Sequence, residues 1–320
     1  MKIDKRIRSL IKKSSNVFVM GHKHLDLDAI GGCVGIKAIS NFFKKECYVI
    51  IDDKEHELSV NKVLDEIKNS TKIINSEEVA DLCKKNSILI IVDTNKTNLL
   101  QNDKILHNFN DIIVIDHHEE TDQALNCIDK IDLKASSACE MVSNLIRDYG
   151  VTLTKEEATI VLSGIVLDTH NFTKKVTPNT YYESYFLTEY GADVKKIQYY
   201  LKEDLKNYII RDKVVMNTEI INDKYAIAKA NDKQKYKREE LAKIADTLLG
   251  FDKVEASFVL GNRVDGGVGI SARSIGNVDV AIITEELGGG GDKYHAACQI
   301  NDMTLKEVNE ELRKILSKGE

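Results

Sequence analysis

The fold class follows from the stretch Asn16-Val17-Phe18-Val19-Met20-Gly21-His22-Lys23-His24-Leu25-Asp26-Leu27-Asp28-Ala29, in which a short apolar run leads through a polar loop into a helical pattern. Residues 16–20 are typical of a buried strand, and apolar positions recur at helical spacing over residues 29–43. A second apolar run at residues 47–51 completes a β-α-β pattern, which predicts parallel strands.

Two more apolar runs, at residues 87–92 and 111–115, extend the predicted sheet. Both are rich in Ile and Val, which is typical of parallel strands that are buried on both faces. We therefore predict a mostly parallel sheet flanked by helices, in a domain of residues 1–193. Its further predicted elements are helices at 60–69, 77–85, 137–149 and 155–167 and a turn at Thr177-Pro178-Asn179.

The rest of the chain predicts a helical linker and a smaller α/β domain. Residues 194–222 are polar, rich in Tyr and helically periodic, and they lack the Gly/Ser tract of a flexible linker. The second domain is predicted over residues 223–320, where the capping box Thr304-x-x-Glu307 opens the last helix. Its other predicted elements are strands at 225–230, 254–262, 267–274 and 295–300 and helices at 239–250 and 280–287.

Composition narrows the class of protein. A length of 320 residues suits two modest domains, and 42% hydrophobic with 30% charged residues is typical of a globular protein. Because no apolar run approaches about 18 residues and the chain begins with charged residues, we expect a cytoplasmic protein without a membrane span or signal peptide. Six scattered cysteines without a C-x-x-C pair indicate free thiols, and a net charge of −6 disfavours long duplex nucleic acid as a ligand.

The loop after the first predicted strand is dense in polar side chains. His22, Asp26 and Asp28 lie within seven positions of one another and can converge on a cation. A solvated loop or a helix cap explains this cluster equally well when it is considered alone.

Further acids and imidazoles follow other buried runs. Asp93 and Asp116-His117-His118 each follow a predicted strand, and Asp168 closes the apolar run 160–167. Because ligands bind outside the carboxyl ends of parallel strands, these side chains are expected to gather at one edge of the sheet.

The predicted cluster is a hard oxygen and nitrogen donor set without a thiolate. Such a set favours Mn²⁺ or Mg²⁺ over structural zinc. Two divalent ions would balance the charge of the four aspartates at positions 26, 28, 93 and 168, whereas the metal-free cluster would repel a phosphate.

These motifs, in this order, resemble the four motifs of the DHH phosphoesterases. The stretch Gly269-Ile270-Ser271-Ala272-Arg273-Ser274-Ile275-Gly276 and the run Leu287-Gly288-Gly289-Gly290-Gly291, followed by Ala296-Ala297, resemble the DHH-associated domain, DHHA1. Segments 135–137, 201–205 and 254–260 resemble the catalytic half of GdpP-type cyclic-di-AMP phosphodiesterases. The resemblance covers nearly the whole chain.

The resemblance implies a two-metal site, with Mn²⁺ in both positions and Mg²⁺ or Co²⁺ as alternatives. It places one ion on His22, Asp26 and Asp93, and the other on Asp28, Asp93, His117 and Asp168. Asp93 would bridge the two ions, Asp116 would orient a histidine, and His118 would lie beside the phosphate.

The resemblance also implies a nucleotide site in the second domain. Its predicted members are Ser271, Arg273, Gly288, Gly289, Gly290, Gly291 and His295. Considered alone, Arg273 is an ordinary strand arginine and the glycine run a helix cap. Asp292 stands where the family pattern usually has histidine, so Lys293 or His295 would have to compensate.

The activity implied is hydrolysis of cyclic di-AMP to linear 5′-pApA by a metal-bound hydroxide, with the second domain closing over the nucleotide. Alternatives are a nuclease of short oligoribonucleotides such as pApA, a 3′-phosphoadenosine 5′-phosphate phosphatase and a non-catalytic nucleotide sensor. A homodimer is implied as well. GdpP-type proteins normally carry membrane helices ahead of this region, so the chain is expected to be a standalone form or a fragment.

Overall fold

A computed structural model describes residues 3–54, 56–119, 125 and 127–318. It divides into two compact units, residues 1–203 and residues 204–320. No helix in these described ranges has the length and apolar composition that crossing a membrane requires.

The first unit is built on a six-stranded sheet in which every neighbouring pair is parallel. Its strands are β1 (Val17–Met20), β2 (Cys47–Ile50), β3 (Lys72–Ile74), β4 (Ile88–Val92), β5 (Asp111–Asp116) and β6 (Ile128–Ile131). Their spatial order is β3-β2-β1-β4-β5-β6, so the direction of winding reverses between β1 and β4. A crevice at such a switch point is where ligands bind in parallel α/β sheets. The predicted parallel α/β fold is confirmed.

Helices cover this sheet. They are α1 (Ile3–Lys13), α2 (Leu27–Phe42), α3 (Leu58–Ile67), α4 (Val79–Leu82), α5 (Ala138–Tyr149), α6 (Lys155–Asp168), α7 (Pro178–Glu189) and α8 (Val194–Tyr200). Short 3₁₀ helices lie at Ser76–Glu78, Thr97–Leu99 and Asp103–Asn108. Strand β1 shows how the sheet is buried: Val17 and Val19 belong to one apolar cluster and Phe18 and Met20 to another. Alternating side chains thus fill cores on both faces.

Close helix packing on one face depends on small residues. A Cβ atom at Gly31 of α2 would lie 2.6 Å from Cys139 Sγ of α5, and one at Gly35 would lie 2.5 Å from Val142 Cγ1. Both glycines therefore let α5 approach α2, the helix that begins at the polar loop after β1.

Two elements of the first unit differ from the sequence prediction. Residues 178–189 form α7, whereas the sequence predicted only a turn at residues 177–179. The reason is that Thr177 is the helix N-cap and Pro178 occupies the first helical position. The helix predicted at 77–85 is only a 3₁₀ turn joined to the single turn α4.

The second unit contains α9 (Leu205–Val215) and a seven-stranded sheet with α10 (Arg238–Leu248), α11 (Val280–Glu285) and α12 (Leu305–Lys318). Its strands are β7 (Thr218–Ile221), β8 (Tyr225–Lys229), β9 (Lys235–Tyr236), β10 (Ala256–Arg263), β11 (Val268–Ser274), β12 (Gly290–Gly291) and β13 (His295–Ile300). The order is β12-β13-β11-β10-β8-β7, with β9 paired to β10. Residues 194–222, predicted as a connecting helix, fold as α8, α9 and β7.

Candidate metal centre

The loop after β1 and the first turn of α2 supply three of the predicted ligands. Asp26 is the N-cap of α2, and its Oδ1 accepts hydrogen bonds of 2.9 Å from the backbone amides of Asp28 and Ala29. Asp28 itself is fully buried. His22 Nε2 lies 3.8 Å from the second carboxylate oxygen of Asp26. Asp26 thus acts as a helix cap, and its second carboxylate oxygen still faces His22.

Asp93 lies at the centre of the cluster. It follows β4, is buried, and has a left-handed φ of 63°. Its Oδ2 lies 3.3 Å from His22 Nε2, and its Oδ1 lies 3.4 Å from His117 Nε2. One carboxylate therefore spans two imidazoles, as a bridging ligand does.

The Asp116-His117-His118 segment continues directly from β5. His117 Nε2 lies 3.2 Å from Asp168 Oδ2 and 3.8 Å from Asp28 Oδ2. His118 is half-exposed, and its Nδ1 lies 2.8 Å from Asp116 Oδ1. The loops after β1, β4 and β5 and the end of α6 therefore meet at one edge of the sheet.

Three groups of side chains offer ligand atoms that all lie within 4.8 Å of one another. The groups are His22 with Asp26 and Asp93, Asp28 with His117 and Asp168, and Asp93 with His117 and His118. The first group contains the side chains that the resemblance assigns to one ion, and the second contains three of the four assigned to the other. The third group, with His118, has no counterpart in that assignment, and Asp93 and His117 each belong to two groups. A cavity of about 260 Å³ opens onto the cluster.

The donor set fits divalent cations. Among the described residues, four buried atoms of the cluster make no hydrogen bond: Asp93 Oδ1, Asp116 Oδ2, and both ring nitrogens of His117. Buried polar atoms are almost always satisfied, so such a concentration requires an explanation. Coordination of hard divalent ions by Asp93 and His117 provides one.

The electrostatics of the cluster also favour cations. Burial lowers the pKa of His22, but the contact with Asp93 and the charges of Asp26 and Asp93 outweigh it and raise that pKa to about 10. Burial similarly opposes the contacts of His117 with Asp168 and Asp93, which raise its pKa to about 11. Burial and the charge of Asp93 raise the pKa of Asp26 to about 7. These shifts indicate a negative potential that attracts positive charge.

The backbone turns sharply after Asp168, the last residue of α6. Three consecutive residues, His170, Asn171 and Phe172, have φ values of 47°, 57° and 63°. Thr169 holds this left-handed run, because its hydroxyl accepts a 3.0 Å hydrogen bond from the amide of Phe172. Strained backbone of this kind is concentrated at functional sites.

The substrate residues predicted in the second unit lie on neighbouring strands. Arg273 of β11 is paired with His295 of β13, and its Nη1 donates a 3.3 Å hydrogen bond to Ser271 Oγ. Its Nε lies 3.4 Å from Asp246 Oδ1. The arginine is therefore held in place within its own unit.

The glycine run contains positions where the backbone or the packing requires glycine and one position with open space around it. Gly288 has a φ of 77° after α11, and a Cβ atom at Gly289 would lie 2.4 Å from Cys298 Cβ. Gly291 has a φ of 154°, whereas Gly290 has open space around it. Asp292 Oδ1 accepts hydrogen bonds from the amides of Tyr294 and His295 at 2.7 and 2.9 Å, so this carboxylate closes a turn. Local packing accounts for much of this motif.

Sequence reasoning missed two neighbours of the cavity, Thr94 and Asn95. Asn95 Nδ2 donates a 3.1 Å hydrogen bond to the carbonyl of His118 and so ties together the loops after β4 and β5. Their position directly after the strand-end Asp93 was the available signal.

Comparison with known proteins agrees with the two-unit structure. The DHH family, N-terminal domain, matches residues 16–165, and the DHHA1 domain matches residues 222–318. The Cyclic-di-AMP phosphodiesterase GdpP of Geobacillus thermodenitrificans is 35% identical over 322 residues, covering 98% of this chain and 49% of that protein. The chain therefore spans about half the length of this relative.

Two further comparisons cover both chains almost completely. The Probable bifunctional oligoribonuclease and PAP phosphatase NrnA of Streptococcus mutans is 24% identical over 98% of each chain. The crystal structure of an exopolyphosphatase-related protein from Bacteroides fragilis has a TM-score of 0.83 at 20% identity, covering 99% of this chain and 96% of that one. This last likeness shows the fold alone. The matches to the two family models, which together span most of the chain, show that it belongs to the DHH family and pairs a DHH domain with a DHHA1 domain.

Proposed function

We propose that this chain is a metal-dependent phosphodiesterase that hydrolyses cyclic di-AMP to linear 5′-pApA. The main support is the arrangement around Asp93, where one buried carboxylate lies within 3.4 Å of two imidazoles. The relative at 35% identity, a cyclic-di-AMP phosphodiesterase, supports the choice of substrate.

Two divalent ions, Mn²⁺ in preference to Mg²⁺ or Co²⁺, are proposed as the cofactor. One would be held by His22, Asp26 and Asp93, and the other by Asp28, Asp93, His117 and Asp168. Bound there, the ions would supply Lewis-acid charge for the phosphate and would activate water at neutral pH. Asp93, which belongs to both proposed ligand sets, would help to hold both ions.

Asp116 and His118 would take part in proton transfer to or from the phosphodiester. A carboxylate oxygen accepts, so Nδ1 of His118 is the donor in its 2.8 Å contact with Asp116 Oδ1. This contact leaves Nε2 of His118 as the ring nitrogen that can exchange a proton with the phosphodiester. Half-exposure of the ring at the cavity suits that role.

Substrate recognition is proposed for the second unit. Arg273 would bind a phosphate through its guanidinium, with Ser271 and His295 beside it on β11 and β13. Residues Gly288 to Gly291 would let a nucleotide approach the backbone without side chains in the way. The amides of Gly288 and Gly289 already donate to the carbonyls of Glu285 and Thr284, so they would not bind the ligand. A homodimer is proposed from the family resemblance, and sedimentation equilibrium would test it.

A second candidate is hydrolysis of short oligoribonucleotides or of 3′-phosphoadenosine 5′-phosphate. The observation that favours it is the likeness to the Streptococcus mutans bifunctional oligoribonuclease and PAP phosphatase, which is 24% identical over 98% of this chain. The same metal cluster would serve both activities, so only a comparison of substrates distinguishes them.

Parallel assays with Mn²⁺ on cyclic di-AMP, pApA and 3′-phosphoadenosine 5′-phosphate test the proposal. We expect the highest kcat/KM for cyclic di-AMP, with pApA as product, and loss of turnover in Asp93→Asn but not in the exposed control Asp103→Asn. Faster turnover of the other two substrates would favour the second candidate. Tight binding of cyclic di-AMP without hydrolysis would indicate a nucleotide sensor.

A further inference from the structure

We propose that Glu140 is a positioning residue that fixes the metal ligand Asp28 through the N-terminus of α5. The inference rests on the proposed function, because it concerns the affinity of the Asp28 site for its ion. Glu140 does not belong to any of the three groups of ligand atoms.

Backbone amides of α5 hold both oxygens of Asp28. Ala138 N–H donates a 2.7 Å hydrogen bond to Asp28 Oδ2, and Cys139 N–H donates a 2.8 Å hydrogen bond to Asp28 Oδ1. Each carboxylate oxygen can accept more than one bond, so these contacts leave lone pairs for an ion. The position of the first turn of α5 therefore determines where Asp28 points.

Helix α6 closes the other side of Asp28. A Cβ atom at Gly164 would lie 2.8 Å from Asp28 Oδ1 and 2.4 Å from Cys139 Sγ. Because both sides of the carboxylate are closely packed, a small shift of α5 would move Asp28 relative to His117.

Glu140 anchors the segment that precedes these amides. Its Oε2 accepts hydrogen bonds from the amide and hydroxyl of Ser136 and from the hydroxyl of Thr180, and its Oε1 accepts a 2.7 Å hydrogen bond from Asn179 Nδ2. The side chain is 2% exposed. Ser137, the N-cap between the anchor and the helix, accepts a 3.0 Å hydrogen bond from the amide of Glu140.

A comparison within the same pair of helices separates positioning from stability. Glu183 is also buried between α5 and α7, where it accepts hydrogen bonds from Ser143 Oγ at 2.7 Å and Arg147 Nε at 2.9 Å. Both glutamates join α5 to α7. Only Glu140 reaches back to the residues that precede the amides on Asp28, so only its loss should disturb the ion site.

Calorimetric titration of the 320-residue chain with Mn²⁺ tests the inference. For Glu140→Ala we expect a dissociation constant about 10- to 100-fold higher for one of the two ions, the range typical of lost contacts behind metal ligands. The other ion should bind as in the wild type. The matched control Glu183→Ala should lower the melting temperature but leave both affinities unchanged.

The conservative variant Glu140→Gln should restore near-wild-type affinity. Its amide oxygen can keep the bonds from Ser136 and Thr180, while the Asn179 amide turns round to accept from the new NH₂ group. Excess Mn²⁺ should likewise restore turnover in Glu140→Ala, an effect that a purely structural defect would not show.

Unchanged Mn²⁺ affinity in Glu140→Ala would overturn the inference, and so would equal weakening in Glu183→Ala. If Glu140→Ala does not fold, Ser136→Ala provides the test, because it removes a single hydrogen-bond donor to Glu140. A selectively lower affinity for one of the two ions supports the inference, and wild-type affinity for both refutes it. Failure of the wild type to bind divalent ions would instead refute the proposed function.

Discussion

At the scale of single residues, Asp93 combines a charge requirement with a backbone requirement. Its carboxylate lies between His22 and His117, and its φ of 63° falls in the left-handed region. Asn tolerates this region, whereas Ala pays a conformational cost of about 1–2 kcal/mol. The two requirements can therefore be separated by substitution.

We predict that Asp93→Asn lowers Mn²⁺ affinity at least about 100-fold, because the carboxylate proposed to serve both ions is lost. Asp93→Ala should lose the same affinity and should also melt at a lower temperature than Asp93→Asn. Calorimetry and thermal unfolding would measure both quantities. Equal melting temperatures for the two variants would contradict the backbone part of the prediction.

Protons and metal ions should compete for the same side chains. The pKa of His22 is raised to about 10 and that of His117 to about 11, so both rings are protonated near pH 7 without metal. A metal ligand must be neutral imidazole, and binding therefore releases protons. We predict that Mn²⁺ affinity rises with pH from 6 to 8 and that the binding enthalpy depends on the ionisation enthalpy of the buffer. An enthalpy independent of the buffer would show that no protons are released.

At the scale of elements, helix α6 contains a glycine that helix propensity alone does not explain. Ala is favoured over Gly in helices by about 1 kcal/mol, yet a methyl group at position 164 would collide with Asp28 and Cys139. We predict that Gly164→Ala lowers both the melting temperature and the Mn²⁺ affinity. Ser163→Ala, one position earlier, removes only a bond to the carbonyl of Ile160 and should leave Mn²⁺ affinity unchanged. A stabilised Gly164→Ala protein would contradict the packing argument.

Sequence patterns predicted the central strands better than the edge strands. Strands β1 and β4 are fully buried and uniformly apolar, so their composition identifies them. Edge strands β3 and β6 contain exposed residues such as Lys72 and Asp129, and their patterns did not distinguish them from loops. Amphipathic α1 was treated only as a charged beginning of the chain.

The residues of the candidate site were easier to predict from the sequence than the residues that hold them in position. The residue types and their positions after strands predicted that His22, Asp93 and His117 lie close together, because the carboxyl ends of parallel strands share one edge of the sheet. Glu140 was overlooked, since its contacts with Asn179 and Thr180 lie 39 and 40 positions away along the chain. Local patterns do not reveal such pairings.

At the scale of the whole molecule, the proposed metal ligands and the proposed nucleotide ligands belong to different units. His22 to Asp168 lie in residues 1–203, and Arg273 lies in residues 204–320. An ion stabilises only the structure that binds it. We predict that Mn²⁺ slows hydrogen exchange in the loops after β1, β4 and β5 and leaves β10 and β11 unchanged. Mass spectrometry of the full chain measures both, and protection limited to the second unit would contradict this assignment.

The spacing along α6 sets a limit on how the chain can change during evolution. Gly164 and Asp168 are four residues apart, about one helical turn, so the close approach to Asp28 and the carboxylate near His117 lie on the same side of the helix. An insertion or deletion of one residue between them would rotate Asp168 by about 100° away from His117. This turn can therefore accept changes of side chain on its outer surface, but its length is as constrained as the identity of Asp168 itself.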